Sequence, residues 1–113
     1  MIEASCHCGA VKFTVETAPD ALTDCNCSIC RRYGVLWAYY QAPQVVFAAT
    51  NGPTDVYLWG RRQLGFHRCH GCGCVTHWAA FDRGYTRMGV NARLLSPEVF
   101  EAVPVRQLDG ASG

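Results

Sequence analysis

The placement of the cysteines limits what this chain can fold into more than any other feature. All eight lie in three short clusters: Cys6 and Cys8 as C-x-C, Cys25, Cys27 and Cys30 as C-x-C-x-x-C, and Cys69, Cys72 and Cys74 as C-x-x-C-x-C. Cysteines so close in sequence rarely reach disulfide geometry with each other. A metal asks for the opposite, thiolates from one tight turn converging on a point. Zinc takes four such ligands at about 2.3 Å in a tetrahedron. A disulfide scaffold would need an oxidising compartment and would leave about 105 pairings open. The opening residues, Met1 to Cys6, have neither the basic start nor the apolar stretch of a secretory signal. The chain is therefore expected in the cytoplasm, with its thiols reduced. Inert cysteines used as small hydrophobes would be scattered rather than clustered. Metal binding is the expectation, with zinc favoured over iron–sulfur.

Dividing the ligands is the informative step. Cys69 and Cys72 flank Gly71, and Gly73 follows, which gives the backbone freedom to turn its N–H groups toward sulfur. Together with Cys6 and Cys8 they make a closed four-thiolate site, tying the N-terminal segment to the second half of the chain. A closed tetrahedron has no room for substrate, so its expected role is structural. Cys25, Cys27 and Cys30 remain, and three protein ligands with a free fourth position describe a catalytic zinc. The competing expectation is that Cys74, His67, His70 or His77 fills that position. Two Zn2+ per chain are expected in either case.

The rest of the composition narrows the class. The 113 residues make one domain, 50% hydrophobic and 17% charged, which excludes a disordered chain. One Lys and nine Arg spread along a chain of net charge +1 argue against nucleic acid. Seven thiolates and two zinc dications would change that charge by −3, to −2, weakening such a role further. No apolar run approaches the roughly 20 residues of a membrane helix.

Period-two alternation predicts a strand over Val11–Glu16. β-branched and aromatic runs predict further strands at Val35–Tyr40, Val45–Ala48, Val56–Trp59, Leu64–Arg68, Val75–Ala79 and Arg87–Asn91. Ser28–Tyr33 reads as one helical turn ended by Gly34, and Ser96–Pro97 as the start of a short helix to Glu101. Turns are expected at residues 17–20 and 51–53. Val103–Leu108 reads as a last strand, at an edge because of Pro104. The sum is an all-β, mainly antiparallel domain over residues 1–109 with zinc knuckles at hairpin ends, and a loose tail over residues 110–113.

The motifs Cys6-His7-Cys8-Gly9, Cys25-Asn26-Cys27-Ser28-Ile29-Cys30 and Cys69-His70-Gly71-Cys72-Gly73, in that order, resemble the glutathione-dependent formaldehyde-activating enzyme family, to which centromere protein V also belongs. Val11-Lys12-Phe13 and Val90-Asn91-Ala92-Arg93 extend the likeness over nearly the whole chain, as a short member. The resemblance implies a β-tent of small sheets. It implies Cys6, Cys8, Cys69 and Cys72 as structural ligands and Cys25, Cys27 and Cys30 as the catalytic site. It also implies a carbon–sulfur lyase activity, the condensation of formaldehyde with glutathione to S-hydroxymethylglutathione. No segment of this chain matches a glutathione pocket, so the expected partners are small thiol and aldehyde substrates.

Several other residues have two readings. Arg31 and Arg32 would grip a substrate carboxylate, or form a solvated helix end. His67, His77 and Trp78 would line the site, His77 as a proton shuttle, or His77 would be a hydrogen-bonded strand residue. Trp37, Tyr39 and Tyr40 would wall a pocket, or pack as core. His7 and His70 read as exposed spacers. Two non-enzymatic alternatives are a zinc-stapled binding module and a redox sensor that releases metal on oxidation.

Overall fold

Short alternating segments bounded by Gly and Pro bury one face at a time, and they do so here in two sheets. The computed structural model describes residues 1–60, 63–82 and 84–111. The smaller sheet joins β1 (Ile2–Ser5), β2 (Lys12–Val15) and β5 (Val45–Phe47), all antiparallel, in the order β1-β2-β5. The larger sheet contains β3 (Leu22–Cys25), β4 (Trp37–Gln41), β6 (Thr54–Trp59), β7 (Leu64–Cys69), β8 (Val75–Ala80), β9 (Arg87–Asn91) and β10 (Val105–Leu108). Its order is β10-β3-β4-β9-β8-β7-β6, antiparallel throughout except for the parallel pair β10–β3. The all-β, mainly antiparallel expectation holds. Two one-turn α-helices, α1 (Cys30–Tyr33) and α2 (Pro97–Phe100), and two 3-10 turns, Ala42–Gln44 and Ala92–Leu94, complete the described elements. Proline at the first position of α2 has the preset φ that the first turn of a helix accepts.

The large sheet separates two apolar layers, because successive side chains along a strand point to opposite faces. On one face Leu22, Ala38, Tyr40, Met88 and Val90 meet Ala4, Phe13, Val15 and Val45 of the small sheet and its surroundings. On the other face Trp37, Phe66 and Trp78 pack with Cys25 and Cys30. A third, small cluster gathers Cys6, Val11 and Cys69, with Cys72 and Cys74 against it. Two strands carry no clear pattern in the sequence. These are β1 and β3, each only four residues long. No described helix is long and apolar enough to cross a membrane.

Candidate metal centres

The first cysteine group forms where the end of β1 meets the end of β7. Cys6 follows β1 directly, and a turn with Gly9 at φ +81° brings Cys8 back beside it. Cys69 closes β7, and Gly71 leads to Cys72. The four Sγ atoms of Cys6, Cys8, Cys69 and Cys72 all lie within 4.8 Å of one another. Cys6 and Cys8 sulfurs are 3.8 Å apart, and Cys8 and Cys69 sulfurs 3.6 Å. A disulfide would require about 2.05 Å. A tetrahedron with bonds of about 2.3 Å has edges of about 3.8 Å, so the spacing is that of a thiolate metal site.

The electrostatics agree. The Cys74 and Cys8 backbone N–H groups aim at Cys72 and bring its thiol down to about 5. Cys8 is pushed up to about 11: the Ala10 N–H lowers it, but the Cys69, Cys6 and Cys72 thiols and burial outweigh that. In Cys6, burial opposes ionisation, but hydrogen bonds from the Val11 N–H (3.3 Å) and from the Cys69 and Cys8 thiols lower it overall. Sulfurs this close cannot all hold negative charge by themselves, whereas a dication among them removes the penalty. The donor set therefore fits a metal.

Cys74 lies beside this first group rather than at the second. Its thiol hydrogen-bonds toward Cys72, and against the pull of the His7 N–H, burial and Cys72 push its pKa up, so it ionises less readily than a free thiol. Its carbonyl accepts the Cys69 N–H at 2.9 Å, closing the knuckle.

The second group is made by one loop. Cys25 ends β3, Cys27 follows one residue later, and Cys30 opens α1. The three sulfurs again lie within 4.8 Å of one another, with Cys25 and Cys30 buried and Cys27 half-buried. The Cys30 N–H donates to Cys27 Sγ at 3.4 Å, and the Trp37 indole N–H donates to Cys30 Sγ at 3.3 Å. Burial raises Cys30 to about 12, the Trp37 N–H lowers it in part, and the neighbouring Cys27 and Cys25 charges raise it again. In Cys27, burial is outweighed by the Cys30 N–H, the Cys30 and Cys25 thiols and the Ile29 N–H, so it ionises more readily than a free thiol. Cys27 thus ionises before Cys30, as Cys72 does before Cys8 in the first group. Gly34, at φ +67°, ends α1 by donating its N–H to the Cys30 carbonyl at 3.0 Å.

Among the described residues, no histidine or carboxylate joins these three cysteines. His67 and His77 are directly opposite each other on β7 and β8, one position along from the Phe66–Trp78 pair, which faces the second group. Their rings therefore lie on the other face, stacked at 4.2 Å, with Phe47 4.5 Å from His77. Their Nδ1 atoms are held by the Thr54 and Thr76 hydroxyls, both at 2.8 Å. Burial pushes His77 down to about 3, with help from His67, and burial also lowers His67. The shuttle reading of His77 gives way to the strand reading. His70 is exposed and pairs with Asp55 at 3.1 Å. Tyr40 turns into the inter-sheet core and donates to the Thr17 carbonyl at 2.7 Å.

Trp37, Tyr39 and Trp78 do stand on the second group's face, with the Tyr39 and Trp78 rings 6.1 Å apart. Arg87 lies 4.0 Å over the Tyr39 ring. Arg32 donates to the Ser28 carbonyl at 2.8 Å, and Arg31 is exposed. Two surface clefts lie elsewhere, one of about 510 Å³ at Lys12, Phe13 and Val46 and one of about 450 Å³ at Leu64, Phe81 and Tyr85.

The sequence pattern of the glutathione-dependent formaldehyde-activating enzymes matches residues 1–102, all three cysteine clusters included. This chain belongs to that family. Among solved structures, a Rhodobacter sphaeroides protein determined as a structural-genomics target is similar at 29% identity and a TM-score of 0.73, over 93% of this chain and 100% of that one. No curated protein matches the chain. The family match ends before β10, whose residues nonetheless reach the second group. Asn26, between Cys25 and Cys27, bonds to Asp109 and Ala111, and Gly110 lies against Cys25. The sequence reading missed these residues and placed Gly110 and Ala111 in a loose tail. Their signal could not be local, since Asn26 stands 83 and 85 residues from its partners. Ser112 and Gly113, the rest of that tail, lie outside the described residues.

Proposed function

We propose that this family member is a zinc-dependent enzyme of the carbon–sulfur lyase type, joining a small thiol such as glutathione to a small aldehyde as a hemithioacetal. The observation that carries the reading is the contrast between the two groups. Cys6, Cys8, Cys69 and Cys72 form a complete set of four, suited to a structural zinc. Cys25, Cys27 and Cys30 form a set of three with no fourth side chain among the described residues.

Zinc bound at the three sulfurs supplies positive charge that keeps an incoming thiol as thiolate at neutral pH. In the net reaction the carbon–sulfur bond forms, the carbonyl π bond opens, and the thiol proton ends on the new hydroxyl. Nothing is oxidised or reduced. The chain's residues shape where this happens. The Trp37 and Cys30 N–H groups hold two of the sulfurs and draw off part of their charge. Trp37, Tyr39 and Trp78 shield that side of the loop from water. Arg31, exposed one residue beyond Cys30, is the cation this reading assigns to a substrate carboxylate. The reading calls for a reducing compartment such as the cytoplasm, and for the two sheets as the β-tent that the resemblance implies.

The test joins metal content to rate. Elemental analysis of the purified protein is expected to give about two zinc per chain. Exchange NMR of hemithioacetal formation, run with several thiols, is expected to show faster exchange with the protein than without it. Cys27→Ser should stay folded and lose that enhancement. Exchange equal to the protein-free control for every thiol would reject the enzyme.

A further inference from the structure

The segment that follows the family match is bonded to the centre of the second cysteine loop. β10 runs parallel to β3 in a register that sets Leu108 beside Cys25. The Leu108 carbonyl accepts the Asn26 N–H at 3.1 Å. The Asn26 side chain is then used at both ends. Its Nδ2 donates to Asp109 Oδ1 at 3.0 Å, and its Oδ1 accepts the Ala111 N–H at 3.0 Å. Asn26 is the middle residue of the C-x-C, so these three bonds fix the turn that aims Cys25 and Cys27 at one point.

Gly110 makes the approach possible. A Cβ placed on it would stand 2.7 Å from Cys25 Sγ, closer than atoms pack, and a tight 3.2 Å from Cys27 Cβ. The segment therefore touches the sulfur cup itself and closes one flank of it.

We propose that residues 105–111 are a built part of the second metal centre, with Asn26 as its positioning residue and Gly110 as the residue that permits the contact. The proposal rests on the metal-binding reading of Cys25, Cys27 and Cys30. It concerns how those cysteines are held rather than what they catalyse.

The experiment reads metal affinity, and the first cysteine group serves as an internal control in the same molecule. The zinc-loaded full chain is titrated with a chelator while zinc release is followed with an indicator dye. In Asn26→Ala, two hydrogen bonds are lost, and the weaker zinc should bind about tenfold less tightly or worse while the tighter zinc is unchanged. Asn26→Asp sets two carboxylates against each other and should weaken the same zinc further. Adding Asp109→Asn to it restores a donor–acceptor pair of reversed polarity at the same total charge, and should recover most of the loss. Gly110→Val should also weaken that zinc alone.

Unchanged affinity in Asn26→Ala and Gly110→Val, with two zinc still bound, would overturn the proposal and leave the function standing. Equal weakening of both zinc ions would overturn it as well, since the effect would be global. A parent protein that holds only one zinc would instead remove the metal reading of the second group, and the proposal with it.

Discussion

At the scale of single residues, close approach and burial decide which side chains tolerate change. Gly89 sits on β9 under the Trp78 indole. A Cβ there would meet Trp78 Nε1 at 2.1 Å, with Cδ1 and Cε2 both at 2.8 Å. The indole is itself buried between Tyr39 and the second cysteine group, so it has little room to yield. Gly89→Ala is expected to destabilise the protein by about 2–3 kcal/mol, as overpacking does, measured by denaturant unfolding of the zinc-loaded form. His77 offers a different test at this scale. Its folded form takes up a proton only near pH 3, whereas an unfolded histidine does so near 6.5. Acid therefore favours the unfolded chain. The stabilisation from keeping His77 neutral is complete above pH 6.5 and is lost as pH falls toward 3. Its ring C–H chemical shifts should stay those of a neutral imidazole from pH 7 to below 5. A His77 titration midpoint near 6.5 would show that the ring is not held in this environment.

At the scale of elements, legibility depended on whether a segment carries its own pattern. The Lys12–Val15 strand alternates, and the Trp37–Gln41 strand is rich in aromatic residues, so both could be read locally. The Leu22–Cys25 strand could not. Leu-Thr-Asp-Cys has no run or alternation long enough to count, and it becomes a strand because β4 and the distant β10 pair with it on both sides. The cysteine groups were legible because metal chemistry imposes spacing within a few residues, and the structure brings the same sets together. The histidines stayed open between two readings because a strand's parity, which sends His67 and His77 to the face opposite Trp78, depends on register. The helix α1 was legible from Gly34, and its energetics separate from those of Gly89. Nothing lies within 4 Å of a Cβ built on Gly34, so only the positive φ resists a side chain. Gly34→Ala should cost about 1 kcal/mol in the same unfolding measurement, well below the value for Gly89→Ala.

At the scale of the whole molecule, the two cysteine groups stand in different relations to the fold. The second group is built within one loop, between Cys25 and Cys30, and the inter-sheet core of Phe13, Val15, Leu22 and Val90 does not depend on it. The first group joins residues 6 and 8 to residues 69 and 72 and so fastens the small sheet to the end of β7. A domain of this size has a modest core, and a crosslink across some 60 residues removes much of the freedom of the unfolded chain. Chelation should accordingly proceed in two stages. The zinc at Cys25, Cys27 and Cys30 should leave first, with the far-ultraviolet circular dichroism of a β protein retained. The zinc at Cys6, Cys8, Cys69 and Cys72 should leave at higher chelator concentration, together with the fold. Cys6→Ser should fail to fold, whereas Cys27→Ser should behave like the first-stage product. A single release step coincident with unfolding, or a well-folded Cys6→Ser protein, would remove the distinction between a structural and a working centre. Charge gives an independent count of the stages. A folded chain with both zinc ions on seven thiolates carries about −2 against +1 for the metal-free thiol form. Native electrophoresis near neutral pH should therefore show the loaded protein moving toward the anode, and the Cys27→Ser protein running between the loaded and stripped forms.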